Sequence, residues 1–407
     1  MKSTDTNIIY INPKGERSET SLSDLKASFS LIQKDAATFD APDKPMLFAL
    51  LHKAVEAGVT PVLFDPKMQI ISERVKSLGI TAYEEEALPS SLPKDAYALF
   101  FTSGTTGIPT GAIKSKQNIQ GELDALSELF FDEAFERVIV TVPFIHIYGF
   151  LSGVMLPERL GCEVLFKEEY WPQDLLKLHE GKKTLVVTTP VYIKSLLRLK
   201  RGSDLSNVVF LSSTGLLLEN EVQQFQEKYN SRIFQLFGST ETGGIAIKYG
   251  MDTLWRPLRD VHVTHNSEGV MVVDSPYLST HLLEEKITTL PHPYTTTDII
   301  ELEEDGFVLM GRLNEIIKIS GKRISILELE ALLEKHLNIT EALIRIVRNS
   351  ARLKDESLEN ALVSKIQIEQ GEISALFKKF YPEININFEL ESVEKIAKNS
   401  MEKKVRK

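Results

Sequence analysis

The period of apolar and polar positions changes along the chain. Up to about residue 250, short apolar runs alternate with longer stretches of helical period. Pro45–Ala57 reads as a helix and Thr60–Phe64 as a short buried strand after the break at Gly58. Tyr97–Phe101, Arg137–Val142, Thr184–Thr188, Val208–Leu211 and Ile233–Leu236 read as further strands, with Asn118–Leu129 and Pro190–Leu199 as helices. Short apolar strands between helices predict an α/β fold whose sheet is largely parallel and covered on both faces. After Thr253 the period falls to two, as in VHVTH and GVMVVD, predicting a more antiparallel β section to about Met310. From Gly311 the texture changes again. Glu315–Ile319 and Arg323–Ser325 flank Gly321 as a hairpin, a helix fits Leu327–His336, and strands and one more helix follow. That describes a small α+β domain of roughly 90 residues. The joint falls near Arg312–Asn314, dividing the chain into an N-terminal body, 1–312, and a C-terminal domain, 313–407.

One stretch tests this reading. Val138–Leu156 carries no charge over a length that would span a bilayer. Pro143, His146 and two glycines interrupt it, so it reads as a buried strand, a loop and a packed helix, with no membrane span. The length of 407 residues suggests about two or three domains and excludes a single small binding module. With 47 Lys and Arg against 57 Asp and Glu, the net charge of -10 opposes nucleic acid as the default partner. Cys162 is the only cysteine, which excludes an intramolecular disulfide and a Cys-rich zinc site and fits a reducing compartment. The start lacks the apolar core of a secretory signal, so a cytoplasmic location is expected.

The segment FTSGTTGIPTG, Phe101–Gly111, follows a strand and interleaves hydroxyls at Thr102, Ser103, Thr105, Thr106 and Thr110 with Gly104, Gly107 and Gly111. Glycines let main-chain N–H groups approach an anion and hydroxyls add donors, as in a polyphosphate cradle. Composition alone leaves open an ordinary flexible surface loop. It is not the P-loop of NTPases, having no Gly-Lys-Ser/Thr. Downstream stand PFIHIYG (Pro143–Gly149), FGSTETGG (Phe237–Gly244), YTTTD (Tyr294–Asp298), GRLNEIIKISGKRIS (Gly311–Ser325) and IAKNSMEK (Ile396–Lys403).

In this order the motifs resemble the signatures of the adenylate-forming superfamily, which includes acyl-CoA synthetases, aryl-CoA ligases, luciferases and peptide-synthetase adenylation domains. The resemblance covers about residue 97 to the end, and the first 95 residues look shorter than the family's usual N-terminal region. It implies two half-reactions. A carboxylate attacks the α-phosphate of MgATP to give an acyl-adenylate and pyrophosphate, and a thiol then displaces AMP. It further implies that Thr102, Ser103, Gly104, Thr105, Thr106 and Gly107 hold phosphate, that Glu241 holds Mg²⁺ and that Thr240 donates to the α-phosphate. Phe237, beside Gly238, stacks on adenine, and Asp298 accepts from the ribose hydroxyls with Arg312 assisting. Lys403 neutralises the acyl carboxylate and the α-phosphate. Read without the upstream motifs, Lys395–Lys407 is a solvated basic run.

The same resemblance places His146, Tyr148, Thr214, Gly215 and Gly243 along the acyl pocket, with Val191 and Tyr192. A lone His beside apolar residues is otherwise an ordinary core residue. His262 and His265, three apart on a strand, point to opposite faces and are structural, not metal ligands. The hinge falls at Asn314, and the hairpin around Gly321 would reach a thiol tunnel as the small domain rotates.

Four positions depart from the family pattern. Thr110 replaces the phosphate-loop lysine, Thr297 the glycine before Asp298, Glu402 the glycine before Lys403, and Asn314 the usual hinge Asp or Lys. None removes Glu241, Asp298 or Lys403, so activity is expected. FIHIYGF holds no acid to pair a substrate ammonium, and burying one unpaired is costly, which favours an aryl or fatty acid. No carrier-protein segment follows, so the acceptor is expected to be CoA or the phosphopantetheine of a separate acyl carrier protein. Two alternatives stay open: an amino-acid adenylating enzyme and a catalytically degenerate adenylate-binding protein.

Overall fold

In a computed structural model of the chain, helix Lys44–Glu56 starts at Asp43, whose carboxylate accepts the Met46 N–H at 2.8 Å, with Pro45 in the first turn. Helix Lys116–Leu129 starts from a reciprocal box in which Ser115 and Asn118 satisfy each other's main-chain N–H groups. The structure describes residues 5–31, 33–86, 91–102, 110–313, 315–319, 322–337, 339–347, 357–364, 368–381 and 388–397. The chain divides into two units, one of Met1–Val263 with Val273–Tyr294, the other of Thr264–Val272 with Thr295–Lys407. The break after Tyr294 lies upstream of the joint expected near Arg312.

The first unit is α/β and holds two sheets. The larger runs, in spatial order, Arg256–Pro257, Gly243–Tyr249, Arg232–Ser239, Val208–Ser212, Thr184–Thr188, Arg137–Val140, Glu163–Lys167, Asn7–Ile11 and Arg17–Ser21. From Arg232–Ser239 to Asn7–Ile11 neighbours are parallel, and antiparallel strands cap both edges. One face packs Ile139, Val186, Phe210 and Ile233 against Ile193, Leu196, Val222 and Phe225. The second sheet runs Ile287–Thr289, His281–Leu283, Thr110–Ser115, Ala96–Thr102, Thr60–Leu63, Ala36–Thr38 and Thr81–Ala82. Its strands are parallel from Ala96–Thr102 onward and antiparallel on the other side. A mixed, largely parallel α/β architecture is therefore the observed fold.

The uncharged stretch Val138–Leu156 becomes the end of strand Arg137–Val140, a loop, a helical turn at Ile147–Gly149 and a π-helical segment Phe150–Met155, with residues 147–156 buried. Among the described residues no helix is long and apolar enough to cross a membrane.

A four-stranded section, most of it in the second unit, runs His262–His265, Val270–Asp274, Tyr294–Glu303 and Gly306–Arg312. Beyond it come the hairpin Ile316–Ile319 with Lys322–Ser325, helices Ile326–His336 and Gln370–Phe380, and a sheet of Ile339–Val347, Ser357–Ser364 and Phe388–Ser392. Ile326, Leu329, Leu333, Ala342, Ile344, Ile373 and Phe377 form its core.

At the start of strand Arg232–Ser239, Arg232 grips Glu133 through two bonds of 2.6 Å each, and Lys183 stands 3.0 Å from the same carboxylate. The Arg232 bonds hold the Glu133 carboxyl below its ordinary value. Such a group adds stability above the unfolded carboxylate pKa of about 4.3 and loses it as pH falls through the lower folded value. Glu133→Gln is expected to lower stability at pH 7 by about 1 kcal/mol, since Arg232 is partly exposed. In thermal unfolding against pH, the gap to the parent should close below about pH 4; a gap independent of pH would contradict this account.

Candidate adenylate site

The carboxyl ends of neighbouring parallel strands carry most of the expected site residues of the first unit. His146 follows Arg137–Val140 after a short loop, Thr214 and Gly215 follow Val208–Ser212, and Thr240 and Glu241 follow Arg232–Ser239. Open α/β sheets bind ligands at this edge. His146 precedes the Ile147–Gly149 turn and is half-buried. Tyr148 is buried, and its hydroxyl donates to Thr188 O at 3.1 Å or Leu211 O at 2.6 Å, so it ties two strand ends together. Burial pushes that phenol well above its ordinary value. Thr214 holds a left-handed φ of 75°, a strained conformation for a β-branched residue. Gly215 and Val191 are exposed and Tyr192 is half-buried.

The turn Ser239–Gly244 has its own closure. Thr242 Oγ1 accepts from Ser239 N at 2.9 Å, and Ser239 Oγ accepts from Thr242 N at 3.2 Å. Two glycines make the turn possible. A Cβ on Gly238 would lie 2.2 Å from Gly243 O, and Gly243 itself has φ 71° with a Cβ position 2.5 Å from Glu122 Oε2. Thr240 and Glu241 thereby sit half-buried at the tip. The Glu241 main-chain O accepts from Ser279 N at 2.8 Å and from Lys114 Nζ at 3.2 Å, while its carboxylate accepts no hydrogen bond from a described residue. A carboxylate oxygen is the kind of donor that suits a hard divalent cation.

Phe237, one strand residue before the bulge, packs against Trp255 with ring centres 5.5 Å apart, and Lys248 lies over the Trp255 ring at 5.1 Å. On the phosphate side, Thr102 pairs in register with Thr110 across the antiparallel strands that flank 103–109. Ser103, Gly104, Thr105, Thr106 and Gly107 lie outside the described residues, as do Asn314, Gly321 and Lys403.

In the second unit, Asp298 and Arg312 are register partners, and Arg312 Nε donates to Asp298 Oδ1 at 3.1 Å. Asp298 is buried, and its N–H donates to Thr296 Oγ1 at 3.0 Å.

Sequence reasoning missed Trp255, Lys114 and Glu122. Lys114 is fully buried, and Nζ donates to Tyr277 O at 2.6 Å as well as to Glu241 O. Glu122, 3% exposed, accepts the Gly244 N–H at 2.7 Å. Burial pushes the Glu122 carboxyl up and the Lys114 ammonium down, and each charge offsets part of the other's shift. A signal for Glu122 existed: it falls at helical spacing between Ile119 and Leu126, on the apolar stripe. A further group of ligand-type side chains, His52, Glu56 and Glu158, is engaged within the protein. His52 Nε2 meets Val154 O at 3.0 Å, its Nδ1 lies 3.3 Å from Glu158, and Glu56 pairs with Lys26.

The AMP-binding enzyme profile matches residues 6–278, and the chain belongs to that family, within the adenylate-forming superfamily. A probable CoA ligase, CCL5, of Humulus lupulus is 25% identical over 336 residues, covering 72% of this chain and 61% of that protein. The medium-chain fatty-acid–CoA ligase of Escherichia coli K12 is 24% identical over 294 residues, 64% of this chain and 50% of the relative. The chain thus spans between half and two thirds of these curated relatives. Among solved structures, O-succinylbenzoate coenzyme A synthetase of Bacillus subtilis, in complex with its acyl-adenylate intermediate, matches with a TM-score of 0.80 at 18% identity, covering 97% of this chain and 94% of that one. ATP-bound MatB of Rhodopseudomonas palustris matches with a TM-score of 0.77 at 16% identity, covering 99% and 94%. At these identities the likeness to the solved structures is one of fold.

Gly243→Ala combines a left-handed backbone with a clash, whereas Gly161, also left-handed at φ 68°, has nothing within 4 Å of its Cβ position. Urea unfolding is expected to show a loss of about 2–4 kcal/mol for Gly243→Ala and about 1 kcal/mol for Gly161→Ala. Equal losses would contradict the close approach of Glu122.

Proposed function

We propose that this chain activates a carboxylic acid with ATP and passes the acyl group to a pantetheine thiol, of CoA or of a separate acyl carrier protein. In the first step a carboxylate oxygen bonds to the α-phosphorus, the bond from that phosphorus to its bridging oxygen breaks, and pyrophosphate leaves. In the second, a thiolate sulfur bonds to the acyl carbon, the carbon–oxygen bond to AMP breaks, and the thiol proton passes to solvent.

The observation that carries this reading is the Ser239–Gly244 turn in a member of the AMP-binding family. It carries Thr240 and Glu241, consecutive and half-buried, just after the strand Arg232–Ser239. Thr240 donates to the α-phosphate and Glu241 holds Mg²⁺. Bound there, magnesium neutralises charge on the phosphate oxygens. Phe237, backed by Trp255, stacks on adenine, and Gly238 beside it lets the Gly243 main chain come close. Asp298, oriented by Arg312, accepts from the ribose hydroxyls. Thr102, Ser103, Gly104, Thr105, Thr106 and Gly107 cradle the leaving phosphates. Lys403 draws the acyl carboxylate and the α-phosphate together by neutralising both.

Residues 1–312 act as the adenylating body and 313–407 as a lid that turns at Asn314 between the two steps and brings the hairpin at Gly321 to the thiol. Aryl or fatty acids suit the acyl wall. His146, Tyr148, Thr214, Gly215 and Gly243 offer no carboxylate, and Phe144, Ile147 and Tyr148 are buried apolar neighbours. The relatives described as CoA ligases, one of them for medium-chain fatty acids, support an acid and CoA as reactants. The lone, buried Cys162 supports a reducing, cytoplasmic setting.

Acid-dependent ATP–pyrophosphate exchange across benzoic, cinnamic, short- and long-chain fatty and amino acids tests the reading. One class of aryl or fatty acid should drive exchange, and Lys403→Ala should lower it by about 10²- to 10³-fold, as removal of a preorganised donor does. Exchange driven by amino acids alone, or none despite ATP binding, would overturn it.

A further inference from the structure

Lys114 and Glu122 have no part in the roles above, yet they hold the Glu241 turn at two points. Lys114 Nζ donates to the main-chain O of Glu241 at 3.2 Å and of Tyr277 at 2.6 Å. Glu122 Oε1 accepts from Gly244 N at 2.7 Å, and Oε2 fills the space that a Cβ on Gly243 would need. The two side chains come from consecutive elements, strand Thr110–Ser115 and helix Lys116–Leu129, whose other buried positions are apolar, as at Ala112, Ile113, Ile119, Leu123 and Leu126, apart from the capping residue Asn118.

Taking two charges out of water costs several kcal/mol each, and apolar side chains of similar size commonly serve stability as well or better. The use of this pair is therefore sought in what it grips, and all but one of the groups it grips belong to one turn. The Ser239–Thr242 exchange closes that turn internally, and Ser279 N adds a second donor, at 2.8 Å, to the Glu241 carbonyl. The Glu241 main chain is thus fixed by donors on its oxygen and, three residues on, by an acceptor on Gly244. No described residue donates a hydrogen bond to the Glu241 carboxylate.

We propose that Lys114 and Glu122 are positioning residues that set the Glu241 carboxylate for its metal, an inference that rests on the reading of Glu241 as the magnesium ligand. Outer-shell partners that orient a ligating group commonly change metal affinity or activity by about 10- to 100-fold when removed. The pair should therefore act on the magnesium requirement of nucleotide binding and leave the acid alone.

The test uses the full chain and needs no acid for its first part: calorimetric ATP binding over a Mg²⁺ titration. Exchange assays then separate KM for ATP from KM for the acid, and thermal unfolding serves as the stability control. Lys114→Met with Glu122→Gln removes both charges while leaving an oxygen for the Gly244 N–H. The double variant is expected to raise the half-saturating Mg²⁺ and KM for ATP by about 10- to 100-fold and to leave KM for the acid within about 3-fold. Wild-type Mg²⁺ dependence in the folded double variant would overturn the proposal, as would both KM values rising together in step with a lower Tm. Where Lys114 variants do not fold, Glu122→Gln and Glu122→Leu carry the comparison. Only the leucine releases the Gly244 N–H, so a larger Mg²⁺ shift for leucine supports the proposal and equal behaviour overturns it. Glu241→Gln separates the two levels: if it keeps the parent Mg²⁺ dependence, the ligand assignment itself fails, whereas a shift there with none at 114 and 122 overturns only the positioning role.

Discussion

A single short turn has to hold its shape for the site to exist. Ser239–Gly244 reverses the chain at the carboxyl end of a parallel strand, and main-chain groups at Ser239, Glu241, Thr242 and Gly244 are committed. Ser239 and Thr242 exchange hydrogen bonds, Ser279 and Lys114 donate to Glu241, and Glu122 accepts from Gly244. Gly238 and Gly243 allow strands and side chains to approach within distances no Cβ tolerates. Preorganisation of this kind is what makes fixed donors effective against developing charge, because nothing has to reorient when the reaction occurs.

The surrounding fold serves that turn in layers. Parallel strands deliver His146, Thr214, Thr240 and Glu241 to one edge, and Tyr148 ties the end of strand Val208–Ser212 to that of its neighbour Thr184–Thr188 through their carbonyls. Trp255 backs Phe237 from the neighbouring antiparallel extension of the sheet. Within the second unit, Asp298 and Arg312 stand opposite one another in register, and the Arg312 guanidinium fixes the orientation of the Asp298 carboxylate. Tyr148 is buried, and its hydroxyl is spent on the scaffold.

Much of this is legible in the sequence. The helix at 44–56, the strands at 60–63, 184–188 and 208–212 and the polar turn within FGSTETGG all carry local signals: an Asp-Lys-Pro start, β-branched runs, glycines at fixed offsets. The family motifs named the class, and the family match bears it out. Strand pairing was not legible, because it is decided by distant contacts. Nothing local tells that Asn7–Ile11 lies beside Glu163–Lys167, or that Thr110–Ser115 runs antiparallel to its predecessor. Lys114 and Glu122 escaped for the opposite reason: charged residues default to the surface in any pattern reading, and only the burial of both reveals that they belong to the core. Glu122 on an apolar helical stripe was the one clue.

The central claim is that the site is built for an acyl-adenylate, which is most directly tested by calorimetric binding of non-hydrolysable acyl-sulfamate analogues of that intermediate, benzoyl and dodecanoyl, against AMP. The account predicts that one of them binds at least about 100-fold more tightly than AMP, as expected for a ligand that mimics the species a site is made to stabilise, and that Asp298→Ala and Phe237→Ala each weaken it. Analogues that bind no better than AMP, or affinities indifferent to both substitutions, would contradict it.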